Sequence, residues 1–174
     1  MPASAPSRPA AGEFFEYYGK YIALVPDGDV RAHIEHQLSD TVAYIKSRGD
    51  AWAMSRYAPG KWSPKEVIGH LADAERIFAY RALRIARGDA TALPGFDENA
   101  YVPVGKFDAR ETNDLLEEFA AARASTIAML NGFDEAAWAR TGTASGNAIS
   151  VRALAYIIAG HERHHLSILK DRYV

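Results

Sequence analysis

An all-α four-helix bundle is the fold class this chain predicts, on three observations. Alternating β-branched runs are absent. Four segments of roughly 17 to 24 residues carry apolar positions at helical spacing. Capping residues, proline and glycine punctuate the ends of those segments. With 174 residues the chain is long enough for one domain with a sizeable core.

The elements follow in order. Residues 1–12 are rich in Pro, Ala and Ser and lack the apolar core of a signal peptide, so a disordered tail is expected there. Residues 13–174 then form a single bundle domain. Glu13 to Leu24 is aromatic and is expected as a helical turn or two lying on the body; Pro26-Asp27-Gly28 is a turn. The first long helix runs from about Asp29 to Lys46, with Ile34, Leu38, Thr41 and Ile45 on one face. Ala51 to Trp62 carries Trp52, Tyr57 and Trp62 and packs as a connection. Ser63-Pro64-Lys65-Glu66 is a capping box with proline at the first helical position, and opens a second helix that stops at Gly88. About twenty residues with Pro94, Gly95, Pro103 and Gly105 follow, a length that marks a crossover or a functional loop. Asp108-Ala109-Arg110-Glu111 reads as another capping box, opening a third helix that ends at Asn131-Gly132. After a short turn and a Thr/Gly/Ser loop, Ser150 caps a fourth helix reaching about Arg172.

Bulk properties exclude several function classes. A formal net charge of −2 offers nucleic acid or an anionic membrane no electrostatic attraction. The absence of cysteine removes disulfides, a thiolate nucleophile and zinc–thiolate sites. No apolar run approaches the roughly 18 residues that span a bilayer. A cytoplasmic location is the default expectation.

The last helix carries the chemistry. Its apolar stripe passes through Leu154, Ile158, His161, His165 and Ile168, so two histidines occupy places where a helix normally puts core leucines. Residues four apart share a face, and both rings can point at one spot. Two buried imidazoles without a shared partner cost about 1–3 kcal/mol for each unmet group, whereas a divalent ion meets one nitrogen on each. The string His161-Glu162-Arg163-His164-His165 also matches H-E-x-x-H, in which metalloproteases use the glutamate as base. A protease would need a third ligand downstream. Asp171 has the spacing, but Ile168 stands where such sites turn the chain with glycine, so the helix carries Asp171 about 15 Å along its axis. The third ligand must come from upstream, where His70, His33 and His36 are the candidates. His70 borders the buried face of its helix beside Val67, Leu71 and Ala74; His33 and His36 flank the Ile34–Leu38 stripe and face solvent. Asp73, three residues after His70, can accept the second ring proton of a ligating histidine. His164 and Glu162 point about 100° from their ligating neighbours and are candidates for the surroundings of the site rather than for ligation.

Trp62-Ser63-Pro64 leading into Gly69-His70-Leu71-Ala72-Asp73-Ala74-Glu75, with His161-x-x-x-His165 on the last helix, resembles the DinB/YfiT-like superfamily from about Asp29 onward. Pro94-Gly95-Phe96-Asp97-Glu98-Asn99-Ala100-Tyr101 resembles the acidic loop after the second helix in the same branch, which makes Tyr101 a candidate pocket residue. The resemblance implies an up-down-down-up course with the 88–107 segment as crossover. It implies a divalent metal, zinc or nickel, on His70, His161 and His165, and a homodimer. Its activities run from metal-dependent hydrolysis to S-transfer or isomerisation with a low-molecular-weight thiol. Glu162 after the first histidine of the last helix departs from the branch.

Two classes of function compete. A metal-dependent enzyme would use three neutral ligands and an open position to activate water or a thiol cosubstrate for a small-molecule substrate. A non-catalytic metal-binding or stress-response module would close the site with a fourth protein ligand. A polar histidine network without metal is the third reading.

Overall fold

The computed structural model describes residues 5–173, and four long helices make up its body. They are α2 (Val30–Lys46), α4 (Pro64–Ala86), α6 (Thr112–Asn131) and α8 (Val151–Arg172). Shorter pieces connect them: α1 (Gly19–Ile22), α3 (Asp50–Ala53), α5 (Glu98–Gly105) and α7 (Glu135–Ala139). Helix α4 packs on α6 and α8, and α2 packs on the same two, so the successive long helices α2 and α4 stand diagonally. Thr41 and Tyr44 of α2 meet Glu162 and Leu169 of α8 in rising order, which makes those helices parallel. Arg76 of α4 meets Glu118 of α6, while Tyr80 and Leu83 share a groove with Ser125 and Met129, so these helices are also parallel. Ile34 of α2 meets Arg123 of α6, and Ile45 and Lys46 lie beside Thr112, the opposite sense. The course is up-down-down-up. Parallel neighbours cannot be joined by a tight turn, and residues 87–111 supply the crossover between α4 and α6.

Caps define the helices that carry the site. The Ser63 hydroxyl accepts from the Glu66 amide at 3.1 Å and the Glu66 carboxylate accepts from the Ser63 amide at 2.8 Å, with Pro64 at the first helical position. Ser150 caps α8 by accepting from the Ala153 amide at 3.1 Å. The second expected box does not form. Glu111 is the N-cap of α6 and makes no side-chain cap bond. Asp108 instead accepts from Ser63 and, at 2.9 Å, from Arg56, so it ties the crossover to the start of α4.

Three further segments differ from expectation. Residues 141–150 are a β-hairpin, β1 (Thr141–Ala144) paired antiparallel with β2 (Asn147–Ser150). Ser145 (φ 51°) and Gly146 (φ 76°) turn it in the left-handed region, the geometry two-residue hairpins favour. Strands of four residues are too short for a periodic signal to show. The crossover contains α5 and a 3₁₀ turn, Phe107–Ala109, so it is structured rather than a loop. Within the tail, residues 1–4 lie outside the described residues, while Arg8 donates to the Ile22 carbonyl at 2.9 Å and the Val25 carbonyl at 2.6 Å. One arginine capping the carbonyls that end α1 holds a segment whose composition otherwise favours disorder.

Two apolar clusters fill the bundle. Ile34, Phe78, Leu130, Leu154 and Ile157 belong to one, and Ile45, Ile68, Leu71, Leu115, Phe119 and Leu169 to the other. A buried charged layer separates them. Arg123, fully buried, donates to both Glu75 oxygens at 2.8 and 3.0 Å, to Glu162 at 2.7 Å and to the Ile34 carbonyl at 2.9 Å. Thr41 donates to the other Glu162 oxygen at 2.7 Å, and Gln37 donates to Glu162 and, at 3.0 Å, to the Ala159 carbonyl. All four long helices contribute to this layer. No helix is long and apolar enough to cross a membrane among the described residues.

Candidate metal centre

His70 lies in the second turn of α4, and His161 and His165 lie one turn apart on the facing side of the antiparallel α8. Their rings converge. The Nε2 atoms of His70 and His161 are 3.0 Å apart, those of His165 and His161 are 3.1 Å apart, and one nitrogen of each ring lies within 4.8 Å of the others. The rings meet edge to face, with centroids 4.6 to 4.9 Å apart. His70 and His161 are buried and His165 is partly exposed.

Burial keeps the imidazoles neutral. It lowers His70 to about 4, and it pushes His161 and His165 well below the ordinary histidine value, the neighbouring imidazoles adding to the effect. A neutral ring has one N–H and one lone pair. His161 Nε2 faces two other nitrogens and can donate to only one of them, so the cluster does not satisfy itself through protons. Three nitrogens about 2.05 Å from a tetrahedral ion stand about 3.3 Å from one another. The two short separations are within a few tenths of that spacing, and the donor set is all imidazole, which suits a divalent transition metal. The triad can hold a metal ion.

Above the triad opens a cleft of about 510 Å³. Trp62 covers one flank, 4.9 Å from the His70 ring and stacked at 6.5 Å on His165. Phe78 backs His161 at 5.7 Å. Tyr21 stands edge-on to His161 at 5.3 Å and to His164 at 5.2 Å. It arrives there because α1 lies directly on α8 at Gly160, where a Cβ would come within 2.0 Å of the Tyr21 carbonyl oxygen. Any side chain larger than hydrogen would push the tyrosine off the site. The Tyr17 and Tyr21 hydroxyls are 3.4 Å apart, and the Lys20 ammonium sits 3.8 Å above the Tyr17 ring. The Tyr21 bond and Lys20 pull the Tyr17 hydroxyl below its ordinary value, while burial pushes Tyr21 up. Lys61, Phe96, Glu98, Asn99 and Ser145 complete the rim.

The expected surroundings sort themselves differently from the triad. His164 does line the cleft, lowered by partial burial and by Lys20. Glu162 does not: about 100° round the helix from His161, it turns out of the cleft into the charged layer with Arg123, Thr41 and Gln37. Asp73 is half-buried on the outer face of α4, 3.8 Å from Arg76, and makes no hydrogen bond to His70 among the described residues. Tyr101 is 48% exposed and packs on Phe96 at 5.7 Å rather than lining the cleft. His33 bonds the Asp27 carbonyl at 3.2 Å and His36 is exposed, both away from the triad. Tyr17, Lys20, Tyr21, Lys61 and Trp62 were not expected at the site. The aromatic density of residues 13–24 is the signal that could have found the first three.

An up-down-down-up bundle with an all-histidine triad between two of its helices, able to hold a metal ion, defines the class of protein. The chain belongs to the DinB superfamily, whose family model matches residues 33–169. It is similar to YfiT from Bacillus subtilis, described as a probable metal-dependent hydrolase with an unusual four-helix bundle topology. The TM-score is 0.72 at 17% identity, over 95% of this chain and 90% of that one. No curated protein matches the chain significantly.

Proposed function

We propose that the chain is a metal-dependent enzyme in which His70, His161 and His165 hold one divalent ion, zinc or nickel, and leave part of its coordination shell open to the cleft. The convergence of three Nε2 atoms carries this reading. When bound, the ion supplies a Lewis-acid centre that makes a coordinated water or thiol more acidic. The protein's own residues do the rest. Burial keeps the three rings neutral, so their lone pairs are available and the ion keeps its full charge. Trp62, Phe78 and Tyr21 exclude bulk water from three sides of the triad. The Lys20 and Lys61 ammonium groups at the rim attract anionic molecules. The Tyr17 hydroxyl, bonded to Tyr21 and beside Lys20, is the acid best placed to give a proton to a leaving group.

Hydrolysis and thiol S-transfer share these ligands. The chain has no cysteine of its own, so a thiol would enter as cosubstrate. A non-catalytic metal module is disfavoured because structural sites use four protein ligands, and the described residues offer three. The homodimer belongs to the same proposal and would sediment at twice the chain's mass.

The test has two stages. Protein purified without a metal column carries about one metal ion per chain, and His161→Ala carries none. A panel of electrophiles is then assayed with and without each low-molecular-weight thiol. Turnover in water alone identifies a hydrolase, and turnover only with a thiol identifies a transferase. Metal content unchanged in His161→Ala removes the proposal.

A further inference from the structure

Among the described residues two arginines are buried, and their surroundings differ. Arg123 faces two carboxylates and uses all three of its nitrogens. Arg81 is 2% exposed, yet no carboxylate pairs with it among the described residues. Its bonds run from Nη2 alone, to the Pro94 carbonyl at 2.8 Å and the Ser145 hydroxyl at 3.1 Å. Neither acceptor carries charge. A buried cation left without a counter-charge is strongly unfavourable. Tying the crossover and the hairpin to α4 would need only a neutral donor there, so the positive charge calls for its own explanation.

Its position supplies one. The guanidinium lies against the Phe78 and Phe96 rings, 5.9 and 5.7 Å from their centroids. Both rings and Ser145 are on the wall of the cleft that holds the histidine triad, the guanidinium standing behind them rather than on the wall itself, and the Phe78 ring packs 5.7 Å from the His161 ring. Ser145 is exposed at the tip of the hairpin turn, and its hydroxyl can rotate away. An anionic oxygen that takes its place would make a charge-assisted bond to Nη2.

We propose that Arg81, gated by Ser145, is the anion subsite of this cleft, and that it holds the carboxylate of a small substrate whose apolar portion lies along Phe78 and Phe96 toward the triad. This names the substrate class within the enzyme reading above. Anion binding itself needs no metal, so the two claims fail separately.

The probe is 3-phenylpropionate, compared with 3-phenylpropionamide, which has the same shape without the charge. Titration calorimetry is run on the full chain as purified and again after chelation. The acid is expected to bind at least tenfold more tightly than the amide in both preparations. Arg81→Met removes that preference. Ser145→Asp brings a carboxylate to the guanidinium from an exposed turn position, where folding is not at risk. It is expected to abolish the preference and to raise the melting temperature, while Ser145→Asn keeps the preference. Equal affinity for acid and amide, failure of the acid to bind, or a preference that survives Ser145→Asp overturns the proposal. A preference lost on chelation shows that the metal, not Arg81, takes the anion.

Discussion

At the scale of single residues, His161 and Glu162 show how one position along a helix separates two kinds of chemistry. About 100° of rotation sends the imidazole to the cleft and the carboxylate to Arg123. Substitutions at the two sites therefore have separable effects. His161→Ala is expected to lose the metal. Glu162→Ala is expected to leave Arg123 half-paired and Thr41 without its acceptor, at a cost of about 3–5 kcal/mol, the range for breaking one side of a buried pair. Denaturant titration of the metal-free protein checks this; a loss below 1 kcal/mol would show that the layer is not an energetic unit. The triad has a pH signature of its own. Without metal, His70 holds off protonation until about 4, while in the unfolded chain it titrates near 6.5. The unfolded state then binds more protons, so this contribution to stability is complete above 6.5 and is lost as pH falls toward 4. Metal-free protein is expected to lose melting temperature over that window, and His70→Asn to lose less.

At the scale of elements, α1 and α8 make the closest approach in the site. Gly160→Ala puts a methyl group where the Tyr21 backbone now lies. Displacing α1 moves Lys20 and Tyr21, and with them the Tyr17 hydroxyl that bonds Tyr21, at an expected cost of about 1–3 kcal/mol. Because His161 sits on α8 and not on α1, metal stoichiometry should hold while binding in the cleft weakens. Metal analysis alongside thermal melting separates the two. The start of α8 is anchored as well: Ser150 caps it and donates to Glu13 at 2.8 Å, and Arg152 pairs with the same carboxylate. Arg152 holds Glu13 down to about 2, against an ordinary 4.5. That contribution is present above 4.5 and is lost as pH falls from 4.5 toward 2, a lower window than that of the triad. Ser150→Ala is expected to cost about 1 kcal/mol through the cap alone.

For the molecule as a whole, a metal ion held by the triad would bridge α4 and α8 and so couple binding to folding. An ion that binds only the folded chain raises stability by about 2.7 kcal/mol at a hundred times its dissociation constant. The melting temperature is expected to climb with the logarithm of free zinc or nickel in the native protein and to stay flat in His161→Ala. Equal responses from both proteins would place the metal elsewhere.

The four long helices, their caps at Ser63 and Ser150 and the histidine pair on α8 could be read directly from the chain. Each depends on residues within a few positions of one another, and local spacing sets which face a side chain occupies. The hairpin at 141–150 was missed because its strands hold four residues each, too few for alternation to register. The Asp108 box was misread because a capping residue is identical in sequence whether it caps its own helix or bonds to Ser63 of another. The family resemblance points to His70, but its meeting with His161 across 91 residues is a matter of helix register. Arg123, bonded to Glu75 of α4 and Glu162 of α8, ties the same two helices together. The cleft walls, from Tyr21 to Ser145, likewise come from segments far apart in the chain. No periodicity encodes them, since contacts between distant segments form only when the whole bundle closes.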